Sequence, residues 1–257
     1  MTARVHPTAL IDRTARIGAG VEIGPWVLVG PNVEVGDGCT LGPRVTLERN
    51  VKLAQRVRIG VGAVLGSDPQ DISYQGEETW VEVGHDTAIR EFVTINRGTK
   101  ASGATRVGAR CFLMTYSHLG HDCQVGDDVT IANSTEISGH VTIQDHANIS
   151  GLVAVHQFVT IGTHCFVGGA TRVNQDVPPY VKAVGNPMEL YGLNAVGLRR
   201  AGFSAEAILA LKHAYRMVFN SDVPVSQAIE RLRTTPQTDE VERFLAFLEQ
   251  SARGVPA

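Results

Sequence analysis

An aliphatic residue recurs at every sixth position along most of this chain, and no other feature constrains its fold as tightly. From Ile17 the series runs through Ile23, Val29, Val35, Leu41, Leu47, Leu53, Ile59 and Leu65, with glycine next at 18, 24, 30, 36, 42, 60 and 66. The phase is lost over 66–80, resumes as Val83, Ile89 and Ile95, and is lost again over 97–106. It then holds without a miss from Val107 to Val173. Competing solenoid families have periods of ~20 residues or more, so a six-residue period is specific.

Each hexad supplies one short strand and a turn, and three hexads close a triangular coil of 18 residues. The repeated aliphatic points into the prism and stacks on its counterparts in the coils above and below, ~4.8 Å away. The position two earlier also faces inward and is small, as at Val21, Val27, Val33, Val45, Val51 and Val57. Cys39, Cys111, Cys123 and Cys165 all fall in this phase, which makes them core fillers rather than nucleophiles or ligands. The glycine after each aliphatic is expected to take the left-handed turn at the corner.

Composition agrees with such an interior. Aromatics make up only 6% of the residues while glycine is plentiful, so an aliphatic ladder, not large rings, fills the core. A net charge of −3 gives no basic field for nucleic acid or an anionic membrane. No run approaches the ~20 apolar residues of a membrane span, and the N-terminal residues lack the apolar stretch of a secretion signal. The four cysteines form no CxxC pair, which argues against a disulfide framework or a zinc ribbon and fits a reducing cytoplasm.

The hexad stops after Val173, and from Asn186 a 3–4 periodicity is expected. Ile208, Leu209, Leu211, Ala214, Tyr215 and Val218 make one helical face behind a Ser204 N-cap. Pro224 opens a second helix, and 239–252 gives a third. The expected architecture is therefore mainly β: a left-handed parallel β-helix over 1–185, followed by a small helical domain over 186–257 that covers one open end. Closed threefold symmetry suits a triangular cross-section, so a homotrimer is expected.

Reducing positions modulo 18 brings scattered histidines together. His121, His140 and His156 leave remainders of 13, 14 and 12, which places them on one corner in neighbouring coils. Gly139 and Gln157 share the remainder of His121, and His118 lies three residues before it. Asp122 sets a carboxylate beside His121, able to fix its tautomer and stabilise the imidazolium. Gly139, stacked one coil above, offers an unobstructed backbone N–H to a developing oxyanion. Base, orienter and oxyanion donor are what acyl transfer to a hydroxyl requires. No serine or cysteine nucleophile is evidently activated nearby, which favours direct attack over an acyl-enzyme.

These residues resemble the UDP-N-acetylglucosamine acyltransferases that open lipid A synthesis. The likeness rests on Val5-His-Pro-Thr-Ala, Gln70-Asp-Ile-Ser-Tyr-Gln-Gly-Glu, Val93-Thr-Ile-Asn-Arg-Gly-Thr and His118-Leu-Gly-His-Asp-Cys. It continues through Val155-His-Gln-Phe, Gln175-Asp-Val-Pro-Pro-Tyr-Val, Gly185-Asn-Pro and the tail with Gly202-Phe-Ser. The resemblance implies a cytoplasmic homotrimer that takes a 3-hydroxyacyl chain from acyl carrier protein to the glucosamine 3-OH. Its sites would lie between subunits, and it would need no metal or other cofactor. It also implies His121 as general base, Asp122 as its partner and Gly139 as oxyanion donor. His118, His140, His156 and Gln157 would line the substrates, and Asp71 would contact the sugar. Asn194 and Arg200 would meet the nucleotide side, and Gly169 would set acyl length.

Four positions depart from that pattern: Ser73 in place of lysine, Asn96 in place of histidine, Val196 in place of glutamate and Ala201 in place of a second arginine. They hold open a related enzyme with a different nucleotide or amino sugar acceptor. Two other classes are weighed. One is a zinc β-helix enzyme using His118, His121 and His140, against which Asp122 beside the base and the helical tail both count. The other is a non-catalytic scaffold, disfavoured by the clustered histidines.

Overall fold

The computed structural model describes residues 2–256 and shows the left-handed parallel β-helix expected from the hexad. Three sheets of 11, 9 and 8 strands form the sides of the prism, and up to the last coil the neighbours within each sheet are every third strand in sequence. Most strands are two residues long, an outward residue followed by the inward aliphatic. Along the later coils of the second sheet the register is exact, His118 pairing with Glu136 and Glu136 with Ala154, and it shifts between Leu65 and Ser67, where the first insertion departs. The inward residues are buried almost without exception, and all four cysteines are free and buried among them. Each such aliphatic contributes about 1.5–3 kcal/mol by leaving water.

The corners differ from expectation in one respect. Gly66 apart, left-handed backbone falls not on the glycine after the aliphatic but two residues further on, and there it is borne mostly by other residue types, among them Trp26, Arg44, Phe92 and Leu152. The glycines are needed because the next coil passes so close. A Cβ on Gly30 would lie 1.7 Å from the carbonyl oxygen of Glu48.

Both interruptions of the repeat leave the prism at the same corner. Ser67 on the second sheet is followed by an insertion that returns at Trp80 on the third, and Asn96 is followed by one that returns at Ala104. Arg97 ties them together. Its buried guanidinium donates to the carbonyl of Gly66, to the Asp68 carboxylate and to the Tyr74 hydroxyl at 2.8 Å.

At the far end the strand Val181–Val184 pairs antiparallel with Glu189–Leu193, so the first sheet continues past the expected boundary at 185/186. Four helices follow: α1 (Ala195–Arg200), α2 (Ala205–Phe219), α3 (Val225–Arg233) and α4 (Asp239–Gln250). Ser204 caps α2 as expected, but Leu209 faces solvent rather than the buried side of that helix. The chain end folds back over the prism, where Ser251 donates to the buried Asp176 carboxylate at 2.7 Å.

Candidate active site

His121 follows the strand His118–Leu119 of the second sheet and precedes Gln124–Val125 of the third, so it stands on the corner from which both insertions depart. Its Nδ1 lies 2.8 Å from Oδ2 of Asp122. That hydrogen bond keeps a proton on Nδ1 and leaves the Nε2 lone pair free. Nε2 in turn lies over Gly139, where a Cβ would come within 2.6 Å of it. Any residue with a side chain there would displace the imidazole.

Asp122 is fully buried and heavily hydrogen-bonded. Besides His121 it accepts from the Thr99 N–H at 2.9 Å, the Thr99 hydroxyl at 2.9 Å, the Ser102 N–H at 3.2 Å and the Ser102 hydroxyl. Burial alone would raise its pKa, but the donors outweigh burial and hold it down at about 2. His140 completes the group. Its Nε2 is 3.7 Å from the same Asp122 oxygen, its ring meets that of His121 edge-on, and Phe158 stacks on its other side at 4.5 Å between centroids. Asp122, His140 and Phe158 all hold left-handed backbone and form one ladder up the corner.

His121, Asp122 and His140 set ligand-type atoms within 4.8 Å of one another. Five hydrogen bonds already converge on the carboxylate, so a cation there would have to displace them.

Asp71, in the first insertion, comes near this group. The Ser73 N–H at 2.8 Å is the main reason its carboxyl lies below the usual range. The Ser73 hydroxyl, His121 and His140 act in the same direction. His118 lies on the adjoining face with Nδ1 2.7 Å from the Thr94 hydroxyl, and burial favours its neutral form. His156 and Gln157 are exposed, one coil beyond Gly139, and the N–H of the next residue, Phe158, donates to the Gly139 carbonyl at 3.3 Å.

Three expected residues do not join this corner within one chain. Asn194 and Arg200 line a groove with Asp128, His146, His164 and Lys182, at the corner between the third and first sheets. Asn194 is moreover the N-cap of α1 and donates to the His164 carbonyl at 3.0 Å. Gly169 stands on the remaining corner, where a Cβ would meet the Gly151 carbonyl at 3.4 Å, an ordinary contact. A side chain therefore fits there without strain in the backbone.

Of the four departures, Asn96 is buried and donates to the Asp68 carbonyl at 2.7 Å, supporting the base of the first insertion. Ser73 bonds to Asp71, and Val196 and Ala201 are exposed beside the α1 groove. The residues missed from the sequence are Thr99, Ser102, Arg97 and Phe158. Phe158 was within reach, because it shares the remainder of Asp122 and His140 modulo 18.

Known proteins of the same build carry consistent names. The family profile described as UDP N-acetylglucosamine O-acyltransferase, domain 2, matches residues 176–256, and the bacterial transferase hexapeptide profile matches 14–49 and 104–139. An acyl-[acyl-carrier-protein]–UDP-N-acetylglucosamine O-acyltransferase of Synechocystis is 47% identical over 195 residues, covering 76% of this chain and 71% of that protein. The same-named protein of Alkalilimnicola ehrlichii is 45% identical, covering 75% and 76%. The crystal structure of the UDP-N-acetylglucosamine acyltransferase of Bacteroides fragilis superposes with a TM-score of 0.97 at 37% identity, covering 98% of this chain and all of that one. The corresponding structure from Acinetobacter baumannii gives 0.95 at 39%, covering 98% and 99%.

Proposed function

The chain belongs to the acyl-[acyl-carrier-protein]–UDP-N-acetylglucosamine O-acyltransferase family, and from that premise we propose how its residues carry out the reaction. The protein is an acyltransferase of lipid A biosynthesis, moving an acyl chain from acyl carrier protein to UDP-N-acetylglucosamine. The relatives' shared name favours that acceptor over a different nucleotide or amino sugar.

His121 Nε2 takes the proton of the glucosamine 3-hydroxyl as its oxygen attacks the thioester carbonyl of a 3-hydroxyacyl donor. Asp122, already an anion, holds the resulting imidazolium through Nδ1. The Gly139 N–H faces the developing oxyanion, since no side chain stands in front of it. Collapse of the tetrahedral intermediate breaks the C–S bond, and the departing thiolate recovers the proton from Nε2. The products are the ester and the free carrier thiol. Base, orienter and oxyanion donor come from the chain and the electrophile from the co-substrate, so the scheme calls on no metal or cofactor.

The observation that carries this reading is the position of His121, with one nitrogen fixed by Asp122 and the other open above a glycine. The reaction runs in the cytoplasm, in a homotrimer. Two features support the trimer: an exposed ridge of Trp26, Phe92, Tyr116 and Leu152 on the corner between the first and second sheets, and the separation of Arg200 from His121 within one chain. No helix of the described residues is long and apolar enough to cross a membrane.

Replacing His121 by alanine tests the base. The expected result is a fall in kcat of ~10²-fold or more with the fold intact, the usual scale for a lost general base. Near-normal turnover would refute the assignment.

A further inference from the structure

Asp122 draws most of its hydrogen bonds from outside the coil that carries it. The second insertion contributes four donors: the Thr99 and Ser102 N–H groups and both hydroxyls. Only His121 belongs to the corner itself. The Ser102 hydroxyl has one proton and two acceptors in reach, Asp122 Oδ1 and the Ala104 carbonyl at 3.0 Å, and the buried anion is the stronger acceptor.

We infer that the Thr99 and Ser102 hydroxyls are positioning residues that set how firmly Asp122 holds protonated His121, and thereby the pH at which the base becomes available. The inference rests on reading His121 as that base. A carboxylate divides its charge among its donors, so each hydroxyl that bonds to it leaves a weaker acceptor for the His121 Nδ1–H. Deleting a hydroxyl concentrates charge toward the imidazolium. The neutral ring then forms only at higher pH. Both backbone donors remain, so the carboxylate stays anchored.

Other charged or titratable groups also face the pair. They are His140, edge-on to His121 and 3.7 Å from Asp122; Asp71, from the first insertion; and His118, on the preceding strand, turned to Thr94. The substitutions touch none of them, so a comparison with the unaltered protein isolates the hydroxyls.

The test uses the full-length protein carrying Ser102→Ala, Thr99→Val or the hydroxyl-retaining Thr99→Ser. Two pH series are recorded: kcat/KM with an acyl carrier protein thioester, and the rate at which diethyl pyrocarbonate modifies His121, followed by mass spectrometry of its peptide. In Ser102→Ala and Thr99→Val the acid limb of the first series and the midpoint of the second should both rise, by about half a pH unit. Thr99→Ser should restore the original values. A hydroxyl with a purely structural role would lower the melting temperature and move neither curve, which would overturn the inference. Should the modification midpoint rise while the kinetic limb stays put, the hydroxyls tune His121 as inferred, and the base assignment fails instead. If Ser102→Ala does not fold, the Thr99 pair decides the matter alone.

Discussion

The imidazole of His121 fills the space that a side chain on residue 139 would need, with Nε2 2.6 Å from the place of the missing Cβ. Gly139→Ala should therefore push the base out of line and obstruct the oxyanion donor together. The expected effect is a loss in kcat of ~10²-fold or more, the scale for removing one such donor, with an unchanged circular dichroism spectrum. Turnover near that of the unaltered protein would mean that His121 has room to shift and that its seat over Gly139 is unimportant.

Asp122 also links stability to pH. Its folded-state pKa of about 2 lies below the ordinary 3.8, so its contribution is complete above pH ~4 and is lost as pH falls toward 2. The difference corresponds to about 2 kcal/mol. Urea titrations at pH 6 and pH 3 should show about half of this loss, about 1 kcal/mol. Asp122→Asn should flatten the dependence, while a dependence equal in both proteins would place it in other carboxylates.

Separate corners for His121 and Arg200 predict complementation. Protomers carrying only His121→Ala and protomers carrying only Arg200→Ala should each be nearly inactive as pure trimers. Co-refolded, they should form mixed trimers in which some sites have both residues intact, restoring a measurable fraction of activity. If mixing restores nothing, both residues serve one site within one chain.

At Gly169 the backbone accepts a side chain without strain, so a larger residue would project into the space outside the corner. Gly169→Met should shift donor preference toward shorter acyl chains, changing the ratio of kcat/KM values between long and short donors by ~10-fold or more. Competition assays with a mixed pool of acyl carrier protein thioesters read this directly. An unchanged ratio would remove Gly169 from the acyl groove.

The hexad made the prism, its inward ladder and the meeting of His121, Gly139 and His140 legible from the sequence, because each follows from counting in sixes. The donors to Asp122 were not legible. Thr99 and Ser102 sit in an insertion, where no period says which residue turns inward. The corner glycines were misread for a different reason. Left-handed turns and close coil approach both select glycine, and sequence alone does not say which acts at a given position. Leu209 was misplaced because helical phase alone does not fix the width of the buried stripe on α2.

Nineteen described residues other than glycine hold left-handed backbone at the corners, a conformation costing an L-residue about 1 kcal/mol or more. Most of these positions, such as Arg44 or Ser134, lie away from His121, and glycine there would relieve steric conflict at the expense of a looser unfolded chain. At Asp122 and His140 the same exchange would delete the groups the chemistry needs. Tolerance should therefore be uneven along the prism: corner positions other than the apolar residues of the exposed ridge and those lining the α1 groove, such as Arg44 and Ser134, can be redesigned for durability, whereas at Asp122 and His140 the awkward geometry is inseparable from catalysis.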